Sequence, residues 1–248
     1  MQKLKKIIKD IFYTVIAPFN FKGAIILMYH SIGYNKEFCT VTPEKFKQQM
    51  EFLKEKKFNV IKLVELAEQL KNGTLKPKTI IITLDDGYED NYLNAYPILK
   101  EFNFPVTIFV PSALIGTTVK SKKGECFKIL NFNAMREMEE SGLVEIGSHS
   151  HNHIKLSQLS DKELNKQFRD SKNILQEGIG KPVTSIAYPF GSFNDSVKNL
   201  AKNYYSIGCS VRRGRICDNS KNMELKRNPI DRDVTFIQFK GIVKFGRI

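Results

Sequence analysis

The stretch "TIIITLDDGYEDNY", residues 79–92, decides how this chain folds. Thr79–Leu84 is an unbroken run of β-branched and aliphatic residues, the pattern of a strand buried on both faces of a parallel sheet. It ends on two adjacent aspartates and a glycine. Neighbouring carboxylates raise each other's pKa and cost folding free energy unless a partner offsets them. Reactive groups in parallel β/α architectures sit at the carboxyl ends of strands, so Asp85 and Asp86 are expected at such a mouth.

Working outward, short apolar runs alternate with helical patterns. "AIILMY" (24–29) and "FNVI" (58–61) precede the central run. "PVTIFV" (105–110), "LVEIG" (143–147), "VTSIAY" (183–188), "YSIGCS" (205–210) and "LKRNPI" (225–230) follow it as further strands. Thr42 caps and Pro43 opens a helix, Gly73 stops the next, and another runs from about Asp90 to Phe102. A helix lies around "NAMREMEESG", Ser160 and Glu163 form a capping-box pattern before a long helix ending near Gly178, and one more helix closes the C-terminus. "GTTVKSKKGE" reads as a loop. Strands alternating with helices predict βαβ units and a parallel sheet. Seven or eight strands with no internal break fit one closed or nearly closed β/α barrel, with a doubly wound open sheet as the alternative.

The chain has 248 residues, 42% of them apolar, enough for a sizeable core. Cys39, Cys126, Cys209 and Cys217 are scattered without a C-x-x-C pair, which suits reduced, buried thiols rather than a disulfide framework. The net charge of +13 fits a lysine-rich solvated surface or an anionic partner. No nucleic-acid-binding motif accompanies it, so no nucleic acid is expected as a partner. Residues 1–22 form a separate basic segment, whose apolar run is broken by Lys9 and Asp10 and ended by Pro18. That run is too short to span a bilayer, and no small-residue cleavage site marks it as a secretory signal. Leu4, Ile7, Ile8, Ile11, Phe12 and Val15 recur at helical spacing opposite Lys3, Lys5, Lys6 and Lys9. Such a helix either lies on an anionic membrane surface, through residues 1–19, or packs on the domain. The expected location is cytoplasmic, at the inner membrane surface where the segment binds lipid.

Four expected strands end in polar clusters: His30, Asp85-Asp86-Gly87, Ser148 to His153, and Pro189-Phe190-Gly191. All four histidines of the chain fall just past strand ends. A carboxylate oxygen with two imidazole nitrogens is a donor set that zinc and its neighbours accept. His149 and His153 would share a face of a helical turn, whereas in an extended segment His149, His151 and His153 would share one. Spacing alone leaves open which two bind.

"TLDDG" (83–87), "SHSHNH" (148–153) and "AYPFG" (187–191) resemble, in order, the first three motifs of the polysaccharide deacetylase family, the NodB-homology proteins of carbohydrate esterase family four. The resemblance runs from about "ILMYHSIG" to "LKRNPI" and implies a distorted (β/α)7 barrel, with the catalytic domain over 23–248. It implies a metal-dependent hydrolase that removes acetyl groups from N-acetylated sugars. Carried over by motif, Asp85 is the catalytic base, and Asp86, His149 and His153 hold a divalent metal, zinc first, with cobalt or nickel as alternatives. His151 falls on a variable position. The backbone N–H of Phe190 serves the oxyanion, with Tyr188, Pro189 and Gly191 shaping that wall. Two positions depart from the common pattern: no histidine follows His153, and Ala187 stands where an arginine usually partners the base. The exopolysaccharide N-deacetylases share the early "MYH" (28–30), which implies His30 as the acid; a purely structural His30 is the alternative. Arg227 is the expected substitute for the missing arginine. A carbohydrate-binding member of the same fold that has lost turnover is the second reading.

Overall fold

The computed structural model describes residues 23–217 and 220–246. Residues 1–22, on which the membrane-binding expectation falls, lie outside the described residues. Among the described residues no helix is long and apolar enough to cross a membrane.

Eight strands make one curled sheet: β1 (Ala24–Tyr29), β2 (Asn59–Val60), β3 (Thr79–Leu84), β4 (Val106–Val110), β5 (Val144–Ser148), β6 (Ser185–Ala187), β7 (Ile207–Cys209) and β8 (Asn228–Pro229). Their order is β7-β6-β5-β4-β3-β1-β8, with β2 beside the start of β3, and every pairing is parallel. The central run of sequence is the spine, since β1 and β3 pair over six rungs from Ala24–Thr79 to Tyr29–Leu84 and both are buried throughout. The two ends of the sheet approach each other through a parallel bridge between Cys209 and Leu225, where Leu225 N–H donates to Gly208 O and Ser210 N–H to Leu225 O. The result is the distorted (β/α)7 barrel.

Seven α-helices surround it among the described residues: α1 (Pro43–Glu55), α2 (Leu63–Asn72), α3 (Tyr96–Phe102), α4 (Phe132–Glu140), α5 (Asp161–Ile179), α6 (Asp195–Ala201) and α7 (Phe236–Phe245). The start and stop signals act as read. Thr42 accepts from Lys45 N–H, Gly73 ends α2 at φ 64°, and Ser160 and Glu163 form both bonds of a capping box. Such caps each stabilise a helix end by about 1 kcal/mol. Helix α5 runs one residue past Gly178, because Gly178 has no side chain to strike the Phe132 ring and Gly180 supplies the left-handed stop.

Three features differ from expectation. The stretch read as a loop holds an antiparallel hairpin, Thr118–Lys120 with Cys126–Lys128. Only Val119 and Phe127 turn inward there, so the alternation is too short to show among exposed lysines. The helix expected from Asp90 opens instead with a π-helical turn, Asn91–Ala95, before α3. All four cysteines are free, but Cys126 and Cys217 are exposed and Cys39 is half-buried, so burial holds for Cys209 alone.

Candidate active site

Alternation along β3 puts Ile81, Thr83 and Asp85 on one face, while Ile80, Ile82 and Leu84 face the helices. Ile81 packs with Ala24, Ile26, Phe109, Ala187, Cys209 and Leu225 inside the barrel. Asp85 therefore ends the inner face of β3. It is 2% exposed, and its N–H donates to Tyr29 O at 2.9 Å. Fully buried Arg227 closes a two-pronged pair with it: Nη1 to Oδ1 at 2.6 Å and Nη2 to Oδ2 at 2.7 Å. The guanidinium is itself fixed, through Nε to Ser210 O and Nη1 to Thr83 Oγ1. Burial works to raise the Asp85 carboxyl, but the charges of Arg227 and His149 outweigh it and hold the group below the usual carboxylate range.

The chain then reverses through two left-handed residues, Asp86 at φ 69° and Gly87 at φ 62°. A Cβ on Gly87 would lie 2.9 Å from Val110 Cγ2, so glycine is required on two counts. This turn sends the adjacent carboxylates to different partners. Asp86 Oδ1 faces His149 Nε2 at 3.4 Å and His153 Nε2 at 3.1 Å. Burial pushes the Asp86 carboxyl up, yet hydrogen bonds from the two imidazoles and the nearby His30 take it well below its ordinary value.

His149 follows β5 directly, and its Nδ1 lies 2.8 Å from Ala187 O, which fixes the ring so that Nε2 faces Asp86. The segment 149–153 is neither helical nor extended: Ser150 at φ 60° and His153 at φ 53° bend it into a loop. Ser150 Oγ accepts from His153 N–H, tying the fifth residue to the second, and the His149 and His153 rings come to lie 4.9 Å apart. His151 is turned away, its Nδ1 2.8 Å from Ser112 Oγ. The loop thus resolves what spacing left open, and Asp86, His149 and His153 present ligand atoms within 4.8 Å of one another. One carboxylate oxygen and two imidazole nitrogens converging with open positions fit a divalent cation.

These groups stand at the floor of a cleft of about 460 Å³, lined also by His30, Phe38, Cys39, Tyr88 and Phe190. A larger hollow of about 760 Å³, lined by Lys198, Lys202 and Glu224, holds no such convergence among the described residues. Phe190 takes φ 58° in a tight turn, and its exposed ring packs 4.7 Å from that of His153. Gly191 follows at φ 63°, where a Cβ would meet Val211 Cγ2 at 2.2 Å. Tyr188 is fully buried and donates its hydroxyl to Met223 O at 2.9 Å, so that hydroxyl is turned from the cleft. Cys39 escaped the sequence reading because a lone thiol carries no pattern. Burial pushes it up to about 11, the charge of Asp86 adding to this, so it stays protonated.

The polysaccharide deacetylase profile matches residues 72–205. The chain belongs to the polysaccharide deacetylase family. YxkH of Bacillus subtilis, which carries the same family name, is 32% identical over 192 residues, covering 76% of this chain; the chain spans 64% of that relative's length. A poly-β-1,6-N-acetyl-D-glucosamine N-deacetylase of Staphylococcus epidermidis is 27% identical over 214 residues, covering 83% of this chain and 71% of its own. Among solved structures, the Streptococcus pyogenes deacetylase PplD, in complex with acetate, superposes with a TM-score of 0.79 at 26% identity, over 91% of this chain and 99% of its own.

The profile begins after His30 and ends before Arg227, so neither residue lies within the stretch it matches. Arg227 reaches Asp85 across 142 residues of sequence. Ala187, standing where the resemblance leads one to expect arginine, uses its carbonyl to orient His149.

Proposed function

We propose that the chain is a metal-dependent hydrolase that removes acetyl groups from N-acetylated sugars in a polysaccharide of the poly-N-acetylglucosamine kind. The observation that carries this reading is the divergence of two adjacent carboxylates, Asp86 toward two imidazoles and Asp85 toward Arg227. A binding protein has no use for a second carboxylate kept ionised beside its metal. The names of the staphylococcal relatives support the substrate class.

Asp86, His149 and His153 would hold the ion, zinc with cobalt or nickel as alternatives. A divalent cation bound there supplies Lewis acidity, polarising the acetyl carbonyl and lowering the pKa of water toward about 7. Asp85, kept as the anion by Arg227, takes a proton from water as its oxygen adds to the carbonyl carbon. General-base help of this kind contributes roughly 10²–10⁴-fold. The Phe190 N–H donates to the oxyanion as it develops, aimed by the Pro189–Gly191 turn. His30 gives its proton to the amine nitrogen as the C–N bond breaks, leaving acetate and a free amino sugar.

Acetate release from N-acetylglucosamine oligomers, measured with added zinc, cobalt or nickel, tests this. Wild type is expected to turn over and Asp85→Asn to fall by at least the general-base factor, roughly 10². A wild-type rate no higher than that of Asp85→Asn would leave the non-catalytic binder as the reading.

A further inference from the structure

We propose that Asp90, Asn91 and Asn94, on and beside the π-helical turn, form a clamp that sets the imidazole of His30; this rests on the deacetylase reading above. His30 stands one residue beyond β1. The last main-chain ties of that strand are Ile230 N–H to Met28 O and Asp85 N–H to Tyr29 O, each at 2.9 Å. Beyond it the chain leaves the barrel sheet: Ser31–Ile32 pairs only with the two-residue strand Thr40–Val41, and His30 lies in neither sheet. Side chains from the turn after the aspartates hold all three positions.

Asn91 Nδ2 donates to His30 O at 2.7 Å and to Asp90 Oδ1 at 2.9 Å. Asp90 Oδ2 accepts from Ser31 Oγ at 2.6 Å, and its Oδ1 accepts from Ile32 N–H at 3.2 Å. Asn94 Nδ2 donates to Ile32 O at 2.7 Å. Three consecutive positions, 30, 31 and 32, are therefore gripped by three side chains about 60 residues away in sequence. The grip leaves the His30 ring in the cleft beside Asp85 and Asp86.

Two observations separate this from ordinary packing. Asn91 is fully buried, both amide hydrogens are used, and its Oδ1 meets no donor among the described residues. Leaving a buried acceptor unmatched costs about 1–3 kcal/mol, so a residue chosen for stability alone would be apolar. The backbone that presents these side chains is π-helical, a costly insertion that recurs at functional sites. Both costs are explained when Asn91 is kept for what it donates to His30. Asp90, Asn91 and Asn94 touch no reacting atom; they are positioning residues.

Leucine matches asparagine in shape; it removes the unmatched acceptor but also strips His30 O of its donor, and because the two effects oppose each other Asn91→Leu is expected to fold with a melting temperature close to that of wild type. Its kcat on N-acetylglucosamine oligomers is expected to fall about 10²-fold, the cost of misplacing a catalytic group by roughly 1 Å, with KM unchanged. Hydrolysis of para-nitrophenyl acetate, whose leaving group needs no proton, is expected to be spared. Asp90→Asn should repeat the pattern. In a His30→Ala background Asn91→Leu should add nothing further, because both act through one group. Equal losses on amide and ester, or full additivity with His30→Ala, would overturn the clamp while the deacetylase reading stands. A wild type that cleaves only the ester would remove both.

Discussion

Arg227 and Asp85 meet through two parallel hydrogen bonds of 2.6 and 2.7 Å in a site from which both are excluded from solvent. Burying two charges is costly, and the pair is tolerable because each guanidinium nitrogen has a partner: beyond the two bonds to Asp85, Nε goes to Ser210 O and Nη1 also to Thr83 Oγ1. The Phe109 ring lies 5.5 Å under the guanidinium. Such a planar fork cannot be replaced by a point charge. The pair joins the inner faces of β3 and the segment leading into β8, so the same contact that helps close the barrel also sets the ionisation of the proposed base.

Arg227→Met should therefore act on stability and on pH dependence together. Burial pushes the Asp85 carboxyl up and Arg227 pulls it down, with a net depression. A carboxyl depressed in the folded state contributes stability above its unfolded pKa, and that contribution is lost as pH falls through the folded value. Without the arginine the folded pKa rises. The acid limb of kcat/KM should then move up by about one to three units, with about 3–5 kcal/mol lost on denaturant unfolding. Arg227→Lys should shift the limb less. A folded Arg227→Met with an unmoved acid limb would exclude Asp85 as the base that Arg227 tunes.

Gly191→Ala tests the wall opposite. Its φ of 63° is unfavourable for any Cβ, and the added methyl would sit 2.2 Å from Val211 Cγ2. Strain and overpacking together should cost about 2–4 kcal/mol. Because Phe190 is the neighbouring residue, kcat should fall with stability. Gly73→Ala is the matched control: φ is 64° but nothing lies within 4 Å of the added carbon, so only the backbone cost of about 1–2 kcal/mol remains and kcat is untouched. Equal kcat values for the two variants would detach the Phe190 turn from catalysis.

Cysteine alkylation gives a reading of the cleft independent of turnover. Burial, reinforced by Asp86, pushes the Cys39 thiol up to about 11, and Cys209 is pushed to about 12, chiefly by burial. Thiolate is the nucleophile, so both should resist iodoacetamide at neutral pH, with Cys39 gaining reactivity as pH climbs toward 11. The exposed Cys126 and Cys217 should label first. Peptide mapping that finds Cys39 labelled as fast as Cys126 would show the cleft to be wetter, or Asp86 less charged, than its surroundings require.

The barrel was legible because its strands are continuous apolar runs with turn residues at both ends: β1 and β3 begin and end where the sequence pattern does. Caps were legible for the same reason, being fixed by local chemistry. What escaped is non-local or conformational. The hairpin at 118–128 buries Val119 and Phe127 against an otherwise exposed surface, leaving no alternation to read. The π-helical turn reads like any helix, since its signature is a hydrogen-bond pattern and not a residue pattern. Which histidines converge depended on left-handed Ser150 and His153, a conformation that non-glycine residues seldom advertise. Arg227 was singled out only because a motif position was empty; nothing local marks it.

The convergence of Asp86, His149 and His153 makes a prediction about metal content that needs no substrate. The loop points His149 and His153 to one carboxylate oxygen and turns His151 to Ser112. Purified wild type should carry close to one equivalent of a divalent ion by elemental analysis, and His151→Ala should carry the same and remain active. Asp86→Asn and His153→Ala each remove one of three ligands and should lose most of it. Metal bound only to the folded state stabilises by mass action, so zinc at about 100 times its Kd should add about 2.7 kcal/mol to wild type and to His151→Ala, but little to Asp86→Asn. A chelator should abolish activity and zinc, cobalt or nickel restore it. Equal metal content in His151→Ala and His153→Ala would mean that the three donors within 4.8 Å do not share an ion, and the hydrolytic reading would lose its centre.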